Sequence, residues 1–259
     1  TDYEEAYREA EVIFIGVGTP EKQDGSANLS YVFEVAKQIA QTVQRDCVVV
    51  IKSTVPIGTN DKIESYIRDK QKNKDVCIYV ASNPEFLSQG TAVKDTLCAS
   101  RIVIGVEEVF PGEVLKKVYE KFDVPKLIVK RRSAEMIKYA SNDFLALKIS
   151  YINEIANLCE IVGANIEEVT ERMGYDARIG HRFLNAGIGY GGSCFPKDTK
   201  ALNWLANFND NEIRTIRAAI EVNENQKFKL IKKAKKYYDD FLFLNVAVLG
   251  CTFKPGTDD

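Results

Sequence analysis

The stretch Cys47-Val48-Val49-Val50-Ile51, running straight into Lys52-Ser53-Thr54-Val55-Pro56, decides the fold. Its apolar, β-branched run offers no polar face to solvent, so it reads as a strand covered on both sides. Similar strand segments are expected at 12–17, 76–81, 101–106 and 126–130, with helical patterns at 29–44, 59–71 and 111–122. Buried strands alternating with helices predict an α/β architecture, the later part of a doubly wound parallel sheet with helices on both faces.

Outward from that core the chain changes character. Thr1 to Glu11 reads as part of a helix, with no initiating methionine and no preceding strand and phosphate-binding loop. At the other end, Val246-Ala-Val-Leu-Gly250 reads as another buried strand shortly before Asp258-Asp259, so the sequence is expected to be an internal piece of something larger. After residue 130 a helix is expected from Ser133 as N-cap to Gly163 as its C-terminal stop. At about 1.5 Å per residue it would run about 45 Å, long enough for a domain connector, a subunit interface, or both. A second long helix is expected over roughly 211–239. The predicted domains are 1–130 (later part of the sheet domain), 131–240 (helical central domain) and 241–259 (first strand of a further domain).

Composition narrows the function classes. The chain has 259 residues, 45% hydrophobic and 28% charged, with a net charge of -2, so no excess of cations points to nucleic acid. The cluster Lys232, Lys233, Lys235 and Lys236 could be a phosphate patch, but the solvated end of a helix explains it more simply. No apolar run approaches the length needed to cross a bilayer, and no signal-peptide pattern opens the chain. The six cysteines form no CxxC pair and no cluster, which speaks against a zinc site or a disulfide framework and predicts a reducing cytoplasm, with no metal. Cys47, Cys77, Cys159 and Cys251 sit among apolar neighbours and read as core. The one histidine, His181, lies in a polar loop beside Gly180 and Arg182 and is not expected to be catalytic.

Gly187-Ile-Gly189-Tyr-Gly191-Gly192 matches GxGxxG by spacing, yet Arg178 to Ala186 does not read as a buried strand, so it is rejected as a dinucleotide fingerprint. Ser193-Cys194-Phe195-Pro196-Lys197-Asp198 is more telling. Pro196 suits the first turn of a helix, which places Cys194 just ahead of a helix N-terminus, where the dipole favours a thiolate. A packed cysteine in a tight turn is the alternative. Lys138 and Asn142 are spaced i to i+4 and share a helix face, either an oxyanion or water site or a solvated polar stripe. Glu85, in Asn83-Pro84-Glu85-Phe86-Leu87, and the segment Lys52 to Pro56 each follow a strand, at the edge where α/β sheets bind ligands. Glu85 could equally be an ordinary loop carboxylate.

Taken in order, these segments resemble the UDP-glucose/GDP-mannose dehydrogenase family: Gly16-Val17-Gly18-Thr19-Pro20, Lys52 to Pro56, Ser82 to Leu87, Lys138xxxAsn142, Asp176 to Gly180, Gly191 to Asp198 and Leu249 to Pro255. The resemblance runs through nearly the whole chain and implies a partial Rossmann domain, followed by a helical dimerisation domain. It also implies a missing N-terminal βαβ unit and a missing C-terminal nucleotide-sugar domain. Phe195 after the cysteine resembles the branch acting on UDP-glucose, the alternatives being GDP-mannose or UDP-N-acetylhexosamine oxidation, or a catalytically incomplete fragment.

The resemblance implies a four-electron oxidation with NAD, in which Cys194 carries the intermediate as a thiohemiacetal and then a thioester. It further implies that Lys138 and Asn142 stabilise the substrate oxygen, Asp198 orients a water, and Glu85 acts as base with Thr54. NAD would border Gly16, Val17, Gly18, Thr19, Pro20, Ser53, Thr54 and Gln89. The sugar nucleotide would meet Glu85, Phe86, Leu87, Ser88, Phe183, Leu184, Asn185 and Gly191, with Phe253 and Lys254 from the next domain. Arg178 would reach the site of a neighbouring subunit, making a homodimer the smallest active unit. Gln89 departs from the family, which usually has glutamate there, so a charge beside the nicotinamide is lost.

Overall fold

The computed structural model describes residues 2–250, 252–254 and 257, and it divides into two compact units, 1–140 and 141–259. The first unit is a five-stranded sheet in the order β1 (Val12–Ile15), β2 (Cys47–Ile51), β3 (Ile78–Ser82), β4 (Ile102–Gly105), β5 (Lys126–Val129). Its helices are α1 (Tyr3–Arg8), α2 (Ser30–Thr42), α3 (Thr59–Lys70), α4 (Ala92–Leu97) and α5 (Val109–Val118). Every residue of β2 is buried, as its composition requires. Cys47, Val49 and Ile51 pack with Val32, Ala36 and Ile39 of α2 and Ile63 and Ile67 of α3. Val48 and Val50 enter a second core on the opposite face, with Ile104 of β4 and Leu115 of α5. Each such aliphatic side chain contributes about 1.5–3 kcal/mol on burial, so the two faces of one strand anchor both layers.

One pairing differs from the all-parallel expectation. β1, β2 and β3 are mutually parallel and β4 is parallel to β5, but β3 and β4 meet antiparallel through Ser82 and Gly105. A parallel return needs a crossover element packed on the sheet. α4, in the connection between β3 and β4, buries none of its residues and does not supply one.

The helix α6 (Arg131–Val162) is 32 residues long and begins two residues before the expected N-cap at Ser133. The Glu107 carboxylate accepts the Arg131 N–H at 3.2 Å, so the first turn is capped from outside its own sequence. The Arg131 side chain is buried among Asp61, Glu64 and Glu107, with its closest approach 3.0 Å to Glu64. Glu135, one turn on, caps α3: its carboxylate accepts from Gly58 N (2.6 Å), Asn60 N (2.8 Å) and Asn60 Nδ2 (2.6 Å). Gly163 closes α6 at φ 76, the left-handed stop expected of it.

The second unit contains the rest of α6 with α7 (Ile166–Gly174), α8 (Phe195–Phe208), α9 (Arg214–Gln226) and α10 (Phe228–Ala234). The single helix expected over 211–239 is therefore two helices. The ladder breaks at Lys227 and ends at Ala234, beyond which Tyr237 and Leu242 lie in solvent with no face to bury. The strand expected at Val246–Gly250 is absent: no strand pairs with this segment among the described residues, and Val246, Val248 and Leu249 are exposed. Of the expected core cysteines, Cys47 and Cys159 are buried. Cys77 is exposed, because β3 starts one residue later, and Cys251 lies outside the described residues. No helix among the described residues is long and apolar enough to cross a membrane.

Candidate active site

In the first unit the expected residues collect at the carboxyl ends of β1, β2 and β3. The loop Gly16–Pro20 leaves β1 and is tied to the loop after β2: Ser53 Oγ donates to Val17 O at 2.6 Å, and Thr19 Oγ1 donates to Thr54 O at 2.8 Å. A Cβ at Gly16 or Gly18 would meet nothing within 4 Å. Backbone is thus bared at a sheet edge, the place where parallel α/β folds receive dinucleotides. These residues fit the nicotinamide dinucleotide that the sequence resemblance implies, with Ser53 and Thr54 bracing the loop and the exposed Gln89 further along the same edge.

Beside that edge stands an ion pair. Lys138 of α6 is 3% exposed, and its Nζ lies 2.8 Å from Glu85 Oε1. Glu85 Oε2 accepts the Leu87 N–H at 2.6 Å, and the Phe86 ring has Lys138 Nζ at 5.5 Å and the Arg101 guanidinium at 4.4 Å from its centroid. Ser88 N donates to Asp95, so the 85–88 turn is pinned at both ends. A buried ammonium held 2.8 Å from a partly exposed carboxylate can bind a developing oxyanion while the carboxylate takes a proton.

Lys52 joins this group; the sequence placed its segment at the sheet edge but gave the lysine itself no role. Its Nζ donates to Asn83 Oδ1 at 3.0 Å, and the same oxygen accepts from Tyr119 Oη at 2.5 Å. Burial pushes the Lys52 amine down to about 8, against the pull of Glu85, with Lys138 adding to the depression. A lysine directly after a buried strand, where the chain still lies over the core, was the available signal.

In the second unit Cys194 is the N-cap residue of α8, exposed, with Pro196 in the first turn. Asp198 closes that turn, its N–H donating to Cys194 O at 2.9 Å. It is 1% exposed; Oδ2 accepts from Asn142 Nδ2 at 2.7 Å and Oδ1 lies 2.8 Å from Lys197 Nζ. Asn142 and Asp198, assigned separate roles from sequence, are joined by a direct hydrogen bond.

The loop before the cysteine is held by amides that sequence reading passed over. Asn223 of α9 accepts the Tyr190 N–H at 2.7 Å and donates to Tyr190 O at 3.0 Å. Gln226 donates to Gly187 O at 2.8 Å, while Asn153 of α6 accepts the Gly187 N–H at 2.7 Å. Ile216, Ala219, Asn223 and Gln226 follow 3- and 4-residue steps, so the two amides continue an inward helical face, a legible pattern. Gly187–Gly192 is a loop with no strand before it, in keeping with its rejection as a nucleotide fingerprint.

The remaining expected residues divide. Phe183 adopts φ 65, uncommon for an aromatic, with its ring centroid 6.2 Å from that of Phe195. Leu184 is buried and Asn185 is exposed. Gly192, at φ 73, lies so close to Phe253 that a Cβ would sit 2.6 Å from the ring, so Phe253 does reach the glycine loop. Lys254 Nζ is 5.7 Å from the Phe253 centroid. Arg178 is highly exposed and paired with Asp176 at 2.6 Å. Among the described residues no cluster of His, Cys, Asp and Glu is placed to hold a metal. An open groove of about 720 Å³ lined by Phe33, Ile57, Tyr66 and Arg132 contains none of the expected residues, and its openness to solvent suits it poorly to chemistry.

Two family models match this arrangement: the NAD binding domain of the UDP-glucose/GDP-mannose dehydrogenase family over residues 1–123, and the family's central domain over 132–225. The chain belongs to this family. A UDP-glucose 6-dehydrogenase of Bacillus subtilis is 51% identical over 259 residues, covering 100% of this chain and 59% of its own length. A UDP-glucose 6-dehydrogenase of Rhizobium meliloti is 47% identical over 265 residues, covering 100% of this chain and 60% of its own length. Among solved structures, a UDP-glucose dehydrogenase from Pyrobaculum islandicum superposes with a TM-score of 0.88 at 40% identity, covering 91% of this chain and 55% of that one. The chain thus spans well under two thirds of the length of these relatives.

Proposed function

We propose that the protein containing this chain oxidises the primary alcohol of UDP-glucose to a carboxylate with NAD, through a covalent intermediate on Cys194. The supporting observation is the exposed thiol at the N-terminus of α8, with Asp198 one turn behind it and hydrogen-bonded to Asn142. A two-electron alcohol dehydrogenase needs no such nucleophile. The relatives named above support the substrate, as does Phe195 after the cysteine.

The bound dinucleotide supplies a hydride acceptor for each of the two oxidations. The chain's own groups do the rest. Lys138 stabilises negative charge on the substrate oxygen as the first hydride departs, with Glu85 as the adjoining proton acceptor. The Cys194 sulfur then adds to the aldehyde carbon, giving a thiohemiacetal, and loss of a second hydride leaves a thioester. Water placed by Asp198 and Asn142 and deprotonated with the help of Glu85 and Thr54 attacks the thioester carbon, releasing the carboxylate and the Cys194 thiol. Phe86, Leu87, Ser88, Phe183, Leu184, Asn185 and Gly191 serve as sugar contacts, with Phe253 and Lys254. Gly16 to Pro20, Ser53 and Gln89 border the dinucleotide.

We also infer a homodimer, with Arg178 contributing to the partner's site. Phe144, Tyr151 and Leu158 recur every seventh residue along α6 and are exposed, with Ile161 and Val162 continuing the stripe. Sedimentation should show a dimer that Tyr151→Glu with Leu158→Glu converts to monomer. The covalent route is tested by counting NADH released per UDP-glucose by the protein of the complete reading frame, beside Cys194→Ala and Cys194→Ser. A ratio of about two that the variants abolish supports the reading. A ratio of one, insensitive to Cys194, overturns it.

A further inference from the structure

Asn83 is 1% exposed, and both ends of its side-chain amide are engaged. Its Nδ2 donates to Val103 O of β4 at 2.8 Å, while its backbone N–H donates to Ile51 O at the end of β2 at 2.9 Å. Its Oδ1 accepts from Lys52 Nζ at 3.0 Å and from the hydroxyl of Tyr119, the C-cap of α5, at 2.5 Å. One residue thus ties β2, β4 and the end of α5 together at the point where β3 stops. Among the described residues β3 pairs with β4 through Ser82 and Gly105 alone, so the sheet itself gives this corner little rigidity.

The turn that carries Glu85 starts here. Pro84 has a fixed φ and restricts Asn83 to extended backbone, so the two steps from Asn83 to Glu85 form a stiff arm of about 7 Å. Glu85 then meets Lys138 Nζ at 2.8 Å and accepts the Leu87 N–H at 2.6 Å. The far end of the turn is held separately, by Ser88 N donating to Asp95 at 2.8 Å. Lys52 is near enough for its charge to act on both Glu85 and Lys138.

A buried amide oxygen facing two donors keeps one position, and is costly to leave with neither. We propose that Lys52 and Tyr119 are positioning residues that clamp the Asn83 side chain through its one oxygen, and so hold the Glu85 carboxylate against Lys138. They act through Asn83 and the Pro84 arm, without touching the reacting atoms. Their effect on turnover rests on the function proposed above, whereas the order they impose on the turn does not.

The test uses the protein of the complete reading frame, with Lys52→Met, Tyr119→Phe and the two combined. Hydrogen exchange over residues 84–89, read by mass spectrometry, needs no substrate. Each single variant leaves Asn83 Oδ1 one donor and should speed exchange there about threefold. The double variant removes both and should speed it about thirtyfold, with protection of β2 unchanged. Wild-type exchange at 84–89 in the double variant overturns the proposal whatever the turnover. Should the double variant lose protection in β2 as well, Lys52→Met decides: faster exchange at 84–89 with β2 intact supports the clamp, and wild-type exchange overturns it. In turnover, kcat should fall about threefold in each single variant and about thirtyfold in the double, more than the singles multiplied. KM for UDP-glucose should stay within about twofold, because Ser88 remains pinned. Lys52→Gln combined with Tyr119→Phe keeps an N–H donor and should recover at least about threefold in kcat over the double variant. Losses that simply multiply, or that follow stability in urea, overturn the positioning role. A wild type that releases one NADH per sugar would defeat the functional reading alone, leaving the exchange result to decide the clamp.

Discussion

Replacing Lys52 with methionine isolates the most perturbed cation at the sheet edge. The Lys52 amine sits at about 8 in the folded protein against 10.5 for an ordinary lysine, burial being the main cause and Lys138 a lesser one. Between those values the unfolded chain binds more protons than the folded one, so stability rises with pH through that window. The gap of about two and a half units corresponds to about 3 kcal/mol, and partial solvent access reduces it to about 2. At pH 7 the folded protein bears that cost. Methionine escapes it while losing the bond to Asn83, worth about 1 kcal/mol, so Lys52→Met should match or exceed wild type in urea denaturation. By about pH 10.5 wild type should have gained about 2 kcal/mol relative to the variant. A difference between the two that stays flat within about 0.5 kcal/mol from pH 7 to 10.5 would refute the burial argument.

Three further substitutions probe the packing that holds the site. Gly105→Ala would put a Cβ 2.6 Å from Ala134 Cβ and 2.9 Å from Arg131 Cα, so thermal unfolding should show a loss of about 1–3 kcal/mol. Glu135→Ala uncaps α3 and leaves two backbone N–H groups without their acceptor, for about 3 kcal/mol in denaturant titration, with Glu135→Gln costing less. Gly192→Ala combines φ 73 with an approach of 2.6 Å to Phe253. It should cost about 1–2 kcal/mol in stability and slow alkylation of Cys194 relative to the exposed Cys77 and Cys98.

The sheet was legible because a strand buried on both faces leaves no polar alternation to misread: the limits of β2 match the expected 47–51. Helix ends were less so, since their caps came from elsewhere. Glu107 started α6 before Ser133, and Glu135 stood in for a cap that Gly58 cannot offer α3. The antiparallel meeting of β3 with β4 escaped because the α4 segment carries no pattern that distinguishes a packed crossover from an exposed turn. Val246–Gly250 failed for a related reason: its composition permits a strand, but a strand exists only where another offers it hydrogen bonds. Cys194 ahead of a helix followed from Pro196 alone, whereas the amides of Asn223 and Gln226 that shape its loop act across long sequence separations.

Four buried or half-buried ionisable groups organise the two units, and their partners divide them by purpose. Arg131 is answered by Asp61 and Glu64, and Glu135 by three N–H donors, so each repays its desolvation locally and holds helices to the sheet. Among the described residues Lys52 hydrogen-bonds a shared amide oxygen and lies 5.8 Å from the Tyr119 ring centroid, and neither Asp143 oxygen has a hydrogen-bond partner. A structural role would favour partners that complete the charge, since incomplete ones reduce stability without fixing geometry. Both incomplete groups act electrostatically on residues proposed for the chemistry, Lys52 on Glu85 and Lys138, and Asp143 on Asp198. Each sits at about 8, close enough to neutral pH for a proton to be moved at little cost. Lys138, held by Glu85, and Asp198, held by Asn142 and Lys197, are buried and well partnered too, so the residues proposed for the chemistry include both answered and unanswered groups.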